Sequence, residues 1–168
     1  VVGLGAIGKN LAVRAKAFGM RVIAYDSYMD EAFARQHGVE QATFDEVIAQ
    51  SDFISLHLPL DKKTRHLIGK KDIEAMKRGA FLINTARGGL IDEQAAAHAL
   101  QIGKLGGLGL DVYETEPVVN SALAEFGNVV MTPHTGAHTN EAVAAMGMMA
   151  VQNLIAVLNG EDCANIVV

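Results

Sequence analysis

The opening stretch Val1-Val2-Gly3-Leu4-Gly5-Ala6-Ile7-Gly8 sets three glycines at a fixed spacing after an apolar pair, and Asp26 follows eighteen residues after the last glycine. This arrangement implies a strand ending in a tight turn, a helix whose N-terminus faces a pyrophosphate, and a carboxylate for a ribose hydroxyl. Gly3 permits the turn, Gly5 lets the backbone approach the phosphates, and Gly8 lets helix and strand pack closely. The helix supplies unpaired N–H groups and the positive end of its dipole. A glycine pattern alone is weak, because loops carry glycines too, but the surroundings support it. Val1-Val2 reads as the stub of a buried strand, and Ile7, Leu11, Ala15 and Phe18 make one apolar helical face. Gly19 ends that helix, and residues 21–25 form a strand that delivers Asp26 to its carboxyl end.

Asp26 also selects between cofactors. Its carboxylate can accept from both ribose hydroxyls of NAD and would repel the extra phosphate of NADP, and Ser27-Tyr28 offers no arginine to hold that phosphate. The competing reading makes Asp26 a strand-end cap for the helix that starts near Asp30.

Composition narrows the class. At 168 residues, half of them hydrophobic and 20% charged, the chain suits one well-buried α/β domain spanning 1–168. A net charge of −5 gives no electrostatic reason to expect nucleic acid or an anionic membrane as partner. No uninterrupted apolar run reaches the roughly 18 residues that a bilayer crossing needs. The start shows no charged leader, and the single cysteine, Cys163, has no partner for a disulfide and no spacing for zinc. A cytoplasmic setting without a metal is expected. Only two residues precede Gly3, where a central strand has about five or six, so a piece of a longer chain is expected.

Apolar runs alternate with helical patterns thereafter. Helices are predicted over 31–37, 43–49, 70–77, 92–101 and 140–158, and strands over 53–58, 80–84, 106–112 and 128–131. Thr43 and Glu46 form a capping-box signature. Strands that are short, apolar throughout and separated by helices mark a doubly wound parallel sheet covered on both faces. Ligands of such sheets bind outside the carboxyl ends of the strands. The residues that fall there are Asp26, His57-Leu58-Pro59, Thr85-Ala86-Arg87, Asp111 and His134.

Two of these can do chemistry. Arg87, followed by Gly88-Gly89, can grip a carboxylate with two parallel hydrogen bonds, although an ordinary surface pairing with Asp92 or Glu93 fits the spacing too. His134 follows Pro133 at a strand end, and histidine exchanges protons near neutrality. His66, His98 and His138 read as surface residues and His57 as a structural strand-end residue. A histidine base needs an acid to hold its tautomer, and Asp111-Val112-Tyr113-Glu114-Thr115-Glu116-Pro117 offers candidates. Spacing alone does not choose between Glu114 and Glu116.

GLGAIG, Tyr25-Asp26, HLPLDKKTRHLI (57–68), NTARGGLID (84–92), LDVYETEP (110–117) and TPHTGAHT (132–139) occur in one order across nearly the whole chain. Together they closely resemble the D-isomer-specific 2-hydroxyacid dehydrogenases, a family that includes D-3-phosphoglycerate dehydrogenase. The resemblance implies a Rossmann NAD-binding domain. It implies that Arg87 binds the substrate carboxylate, that His134 is the acid–base group and that Glu116, just before proline, is its partner. Asp111 then contacts the nicotinamide amide. Ala6, Ile7, Leu58, Thr85, Ala86, Gly136 and Ala137 line NAD, and Pro59 and Thr64 belong to a neighbouring cofactor loop. Dimerisation through this domain is implied as well, with the apolar surface of the last helix, from Ala142 to Leu158, as one candidate contact and core packing as the other reading.

The family's substrate domain is absent from this chain, so these 168 residues alone are expected to bind NAD but turn over poorly. Lys62 and Lys63 could attract an anionic substrate. Among substrates 3-phosphoglycerate leads, with glyoxylate, hydroxypyruvate and D-lactate open. The alternative class is a non-catalytic NAD-sensing dimerisation module, as in corepressor relatives. A cofactor domain of another Rossmann-type enzyme, such as an alanine dehydrogenase, fits the Arg–Glu–His order less well.

Overall fold

The computed structural model describes residues 1–118, 121–163 and 165–166. The chain divides into two compact units, Val1–His134 and Thr135–Val168. In the first, β1 (Ile23–Ala24) pairs in parallel with β2 (Glu40–Gln41). The strands β3 (Phe53–Leu56), β4 (Ala80–Asn84), β5 (Leu105–Leu110) and β6 (Val129–Met131) form a second parallel group in that order. Val2 joins the two groups through parallel bridges to Tyr25 and Leu56. The resulting order is β2-β1-Val2-β3-β4-β5-β6, so successive connections run outward on opposite sides of Val2. That reversal is the switch point at which doubly wound sheets bind ligands.

The connecting helices in this unit are α1 (Ala6–Ala17), α2 (Glu31–His37), α3 (Phe44–Gln50), α4 (Lys70–Ala75) and α5 (Glu93–Gln101). Their ends follow local chemistry. Asp30 accepts from the Phe33 N–H to cap α2, which stops at left-handed Gly38. Asp26 is therefore not the cap of that helix. Thr43 and Glu46 close the predicted capping box, a device worth about 1 kcal/mol. The core joins Ile54, Leu56, Leu82 and Leu108 of the strands to Val47, Ile48, Ile73, Ala96 and Leu100 of the helices.

Three sequence expectations need correction. First, the inward face of α1 is not Ile7–Leu11–Ala15–Phe18: Gly8 and Ala12 are buried, while Ile7 and Phe18 are 69% and 86% exposed. Small residues win because the helix lies so close to the glycine turn that a Cβ on Gly8 would sit 2.0 Å from the Gly3 carbonyl oxygen. Second, the strands are not covered along their whole length. Phe53 and Phe81 are exposed and stack at 5.1 Å on neighbouring strands, beside a Gly107 whose Cβ would collide with the Phe81 ring. Third, the apolar strand patterns overrun the hydrogen-bonded strands, since β3 ends at Leu56 and β5 at Leu110.

In the second unit, Thr139 caps the long helix α6 (Asn140–Asn159) and left-handed Gly160 ends it. None of its residues is buried. By length and composition alone this helix could cross a membrane. The expectation from uninterrupted runs misses it because Gln152-Asn153 breaks the run without lowering the average enough.

Candidate active site

Each of the three glycines meets the requirement read from the sequence. Gly3 has φ +95°, and a side chain there would strike the His57 carbonyl at 2.7 Å. Gly5 is the N-cap of α1, and nothing lies within 4 Å of where its Cβ would be. No side chain caps this helix, so its first-turn N–H groups point out beside an open, side-chain-free position. Ala6 and Ile7 are exposed there. Asp26 adds something the sequence did not suggest. Its Oδ2 accepts from the Leu4 N–H at 2.6 Å and its Oδ1 from the Tyr28 N–H at 2.8 Å. The carboxylate thus holds the glycine turn from the neighbouring strand end, and each oxygen keeps a lone pair for an outside donor.

The loop after β3 is braced by its own polar groups. Thr64 Oγ1 donates to the Pro59 carbonyl at 2.8 Å, and Asp61 accepts from the Lys63 and Thr64 N–H groups. Leu58 is partly buried against the core. His57 is structural, as expected: its Nε2 lies 2.9 Å from Ser55 Oγ, and burial pulls the imidazole down to about 4.

Arg87 lies exposed past the end of β4, in a loop shaped by Asn84. Asn84 is fully buried; its Oδ1 accepts from the Ala86 N–H at 3.0 Å and its Nδ2 donates to the Arg87 carbonyl at 2.8 Å. One amide therefore satisfies both edges of the Thr85-Ala86-Arg87 turn, while the exposed guanidinium donates from Nη1 to the Ala86 carbonyl at 2.6 Å. Asp111, on the next strand end, is buried, donates its N–H to the Asn84 carbonyl and accepts from Thr132 Oγ1 at 2.6 Å.

His134 is one of two non-glycine residues with positive φ among the described residues, at +54°. Such a conformation is uncommon outside glycine and concentrates at functional positions. Its Nδ1 lies 2.7 Å from Glu116 Oε2. Glu116 Oε1 accepts from the Tyr113 N–H at 3.1 Å. The hydrogen bond from His134, aided by that from Tyr113, holds the Glu116 carboxyl below its usual range. An ionised Glu116 places the proton on Nδ1 and leaves Nε2 as the acceptor of a neutral ring. Of the two acids that spacing left open, Glu116 is the one at the histidine. Glu114 turns to Glu93, His66 and Arg65 instead. His66, read as a surface residue, is the second positive-φ histidine. Gly136 and Ala137 belong to the second unit, within a turn closed by the His138 N–H on the Thr135 carbonyl.

This fold and site agree with comparisons to known proteins. The family model described as "D-isomer specific 2-hydroxyacid dehydrogenase, NAD binding domain" matches residues 1–136. The chain belongs to that family. It is 46% identical over 168 residues to a D-3-phosphoglycerate dehydrogenase of Methanocaldococcus jannaschii, covering 99% of this chain and 32% of the relative. It is 45% identical to a glyoxylate reductase of Thermococcus litoralis, covering 99% and 50%. A solved structure of the NAD-complexed D-isomer specific 2-hydroxyacid dehydrogenase of Lactobacillus delbrueckii ssp. bulgaricus superposes with a TM-score of 0.89 at 33% identity, covering 99% of this chain and 54% of that one. The chain thus spans a third to about half of these relatives' length.

The residues fit the family's cofactor. An uncapped helix N-terminus, an open Gly5 and a strand-end Asp26 have the chemistry that a pyrophosphate and a ribose require. Asp26→Ala in the complete protein is expected to weaken NADH binding about 10- to 100-fold, the equivalent of losing charged hydrogen bonds of about 1.5–3 kcal/mol. Fluorescence titration of NADH measures it, and an unchanged Kd would remove the carboxylate from the binding site.

Proposed function

We propose that the complete protein oxidises a D-2-hydroxy acid, or reduces the matching 2-oxo acid, with His134 as acid–base group, Glu116 as its partner and Arg87 as carboxylate anchor. The 2.7 Å contact between His134 Nδ1 and Glu116 carries this reading, because it leaves Nε2 ready to exchange a proton. When bound, the nicotinamide supplies the two-electron acceptor or donor. Arg87 holds the substrate's carboxylate with its guanidinium and orients C2. His134 Nε2 takes the C2 hydroxyl proton in the oxidation and gives it back in the reduction, while Glu116 stabilises the imidazolium. Glu116 stays ionised throughout, since its carboxyl is already held low by the histidine.

Relatives of almost equal identity bear the names D-3-phosphoglycerate dehydrogenase and glyoxylate reductase. Short 2-oxo acids, phosphorylated or not, are therefore the substrate class, with 3-phosphoglycerate as the leading hydroxy acid. A homodimer in the cytoplasm is the state this reading assigns. The exposed apolar side chains of α6 support such a contact, and the net charge of −5 speaks against nucleic acid. Steady-state rates of the complete protein with NADH and a panel of 2-oxo acids test the activity. Reduction of at least one of them is expected, and no NADH oxidation with any would overturn the reading.

A further inference from the structure

The turn that carries Glu116 is held by contacts besides the one to the His134 side chain. The N-terminus of α5 has three first-turn N–H groups to satisfy. Asp92 takes those of Gln94 and Ala95 through one oxygen. The third, on Glu93, donates to Glu114 Oε1 at 3.1 Å, from a different loop. The contact is reciprocal, because the Glu114 N–H donates to Glu93 Oε1 at 2.7 Å. Two carboxylates are thereby brought together, and Glu93 titrates above its usual range, chiefly through burial and also through the charge of Glu114. Such a like-charge pair needs a reason to persist. Two basic side chains face it from the 61–68 loop: the Arg65 guanidinium, with Nη2 3.8 Å from Glu114 Oε2, and the His66 imidazole, with Nε2 3.2 Å from the same oxygen.

His66 reaches that position through a left-handed backbone, φ +49°, while its N–H donates to the Gly89 carbonyl at 2.7 Å. The residue before Glu114 is equally committed. Tyr113 donates its hydroxyl to the Thr132 carbonyl at 2.7 Å and its N–H to Glu116 Oε1. Thr132 in turn accepts the His134 N–H. The 61–68 loop, the turn after Arg87, α5 and the strand end bearing His134 all meet at residues 113–114.

From this convergence we infer that Glu114 is a positioning residue, whose carboxylate locks the 113–116 turn onto α5 and the 61–68 loop and so fixes Glu116 against His134. This rests on the acid–base reading above. It gives a role to a glutamate that touches neither His134 nor any residue assigned to substrate or cofactor. The charge matters less than the reach, because the bond to the Glu93 N–H needs an acceptor oxygen at that distance, ionised or not.

The test uses the complete protein with NADH and glyoxylate, or the fastest 2-oxo acid of the panel, with kcat expressed per NADH-binding site. Glu114→Ala is expected to lower kcat about tenfold while KM for the oxo acid and Kd for NADH stay within twofold. Glu114→Gln keeps an acceptor oxygen in place and is expected to recover most of that kcat. A residue with a merely structural role would change the number of NADH-binding sites and leave kcat per site alone. If Glu114→Ala does not fold, Glu114→Asp answers instead, since the shorter side chain keeps the charge but loses the reach. Wild-type kcat per site in the Ala or Asp variant, or a Gln variant as impaired as Ala, overturns the inference. His134→Ala run in parallel separates the two claims. An inactive His134 variant beside a fully active Glu114 variant sinks only the positioning role, whereas an active His134 variant sinks the acid–base reading itself.

Discussion

Replacing His134 by alanine in the complete protein is expected to lower kcat about 10²- to 10⁴-fold, the usual range for a general acid–base group, while the Kd for NADH changes less than twofold. The specificity of this effect follows from where the residue sits. Its side chain is half exposed and its described polar contact is to Glu116, so removing the imidazole opens no core cavity. The left-handed backbone at φ +54° works in the same direction, since it holds the ring out from the strand end instead of packing it. Alanine there keeps the same unfavourable conformation and loses the hydrogen bond to Glu116, a change of about 0.5–1.5 kcal/mol in stability that a denaturation midpoint registers separately. The decisive measurement is single-turnover hydride transfer at saturating NADH. Turnover retained within tenfold of wild type, with NADH bound, removes His134 from the mechanism.

Much of this is legible in the sequence alone. The glycine spacing fixes the turn and helix entry because only glycine tolerates φ +95° at position 3 and the 2.0 Å approach at position 8. The alternation of apolar runs with capped helices points to a doubly wound parallel sheet, though not to its strand order, and the strand-end rule then gathers Asp26, Arg87, Asp111 and His134 at the strands' carboxyl ends. What stayed hidden shares a physical cause: each missed residue acts through backbone groups that only the folded turns bring to it. Asn84 ends the strand β4, and nothing in an apolar run says that its amide will clasp the Ala86 N–H and the Arg87 carbonyl. Glu93 looks like any acid in a helix's first turn. Glu114 and Glu116 are two residues apart on one loop, and their opposite destinations depend on the turn that the Tyr113 N–H closes onto Glu116. The burial of α1 departs from the sequence pattern because a stripe of small residues, Gly8 and Ala12, faces inward in place of the 3.6-residue pattern of large ones. Close approach to the glycine turn favours the small ones.

The same steric logic makes Gly88→Ala the substitution with the largest expected effect on the fold. A Cβ at Gly88 would lie 1.9 Å from both the carbonyl carbon and oxygen of Tyr113, and 2.5 Å from its Cα. All three atoms are backbone, so no rotamer change relieves the contact, and either the Arg87 turn or the 113–116 turn must move. Overpacking of well-fitted interiors costs about 1–3 kcal/mol even where side chains can yield; here about 3 kcal/mol or more is expected. Activity falls with it, since the two turns that separate carry Arg87 and Glu116. Two other glycines isolate the cause. Gly79 has φ +81° but nothing within 4 Å, so alanine there meets conformational strain alone, about 1–2 kcal/mol, with kcat unchanged. Gly109 has an ordinary φ, and the nearest atoms to its Cβ are those of Ile83 at 3.6 Å, so alanine is tolerated. Urea denaturation midpoints of the three variants should therefore rank Gly88→Ala lowest, Gly79→Ala between, and Gly109→Ala near wild type. A Gly88→Ala protein within about 0.5 kcal/mol of wild type, still turning over, means that the Arg87 and Glu116 loops are not in the contact described.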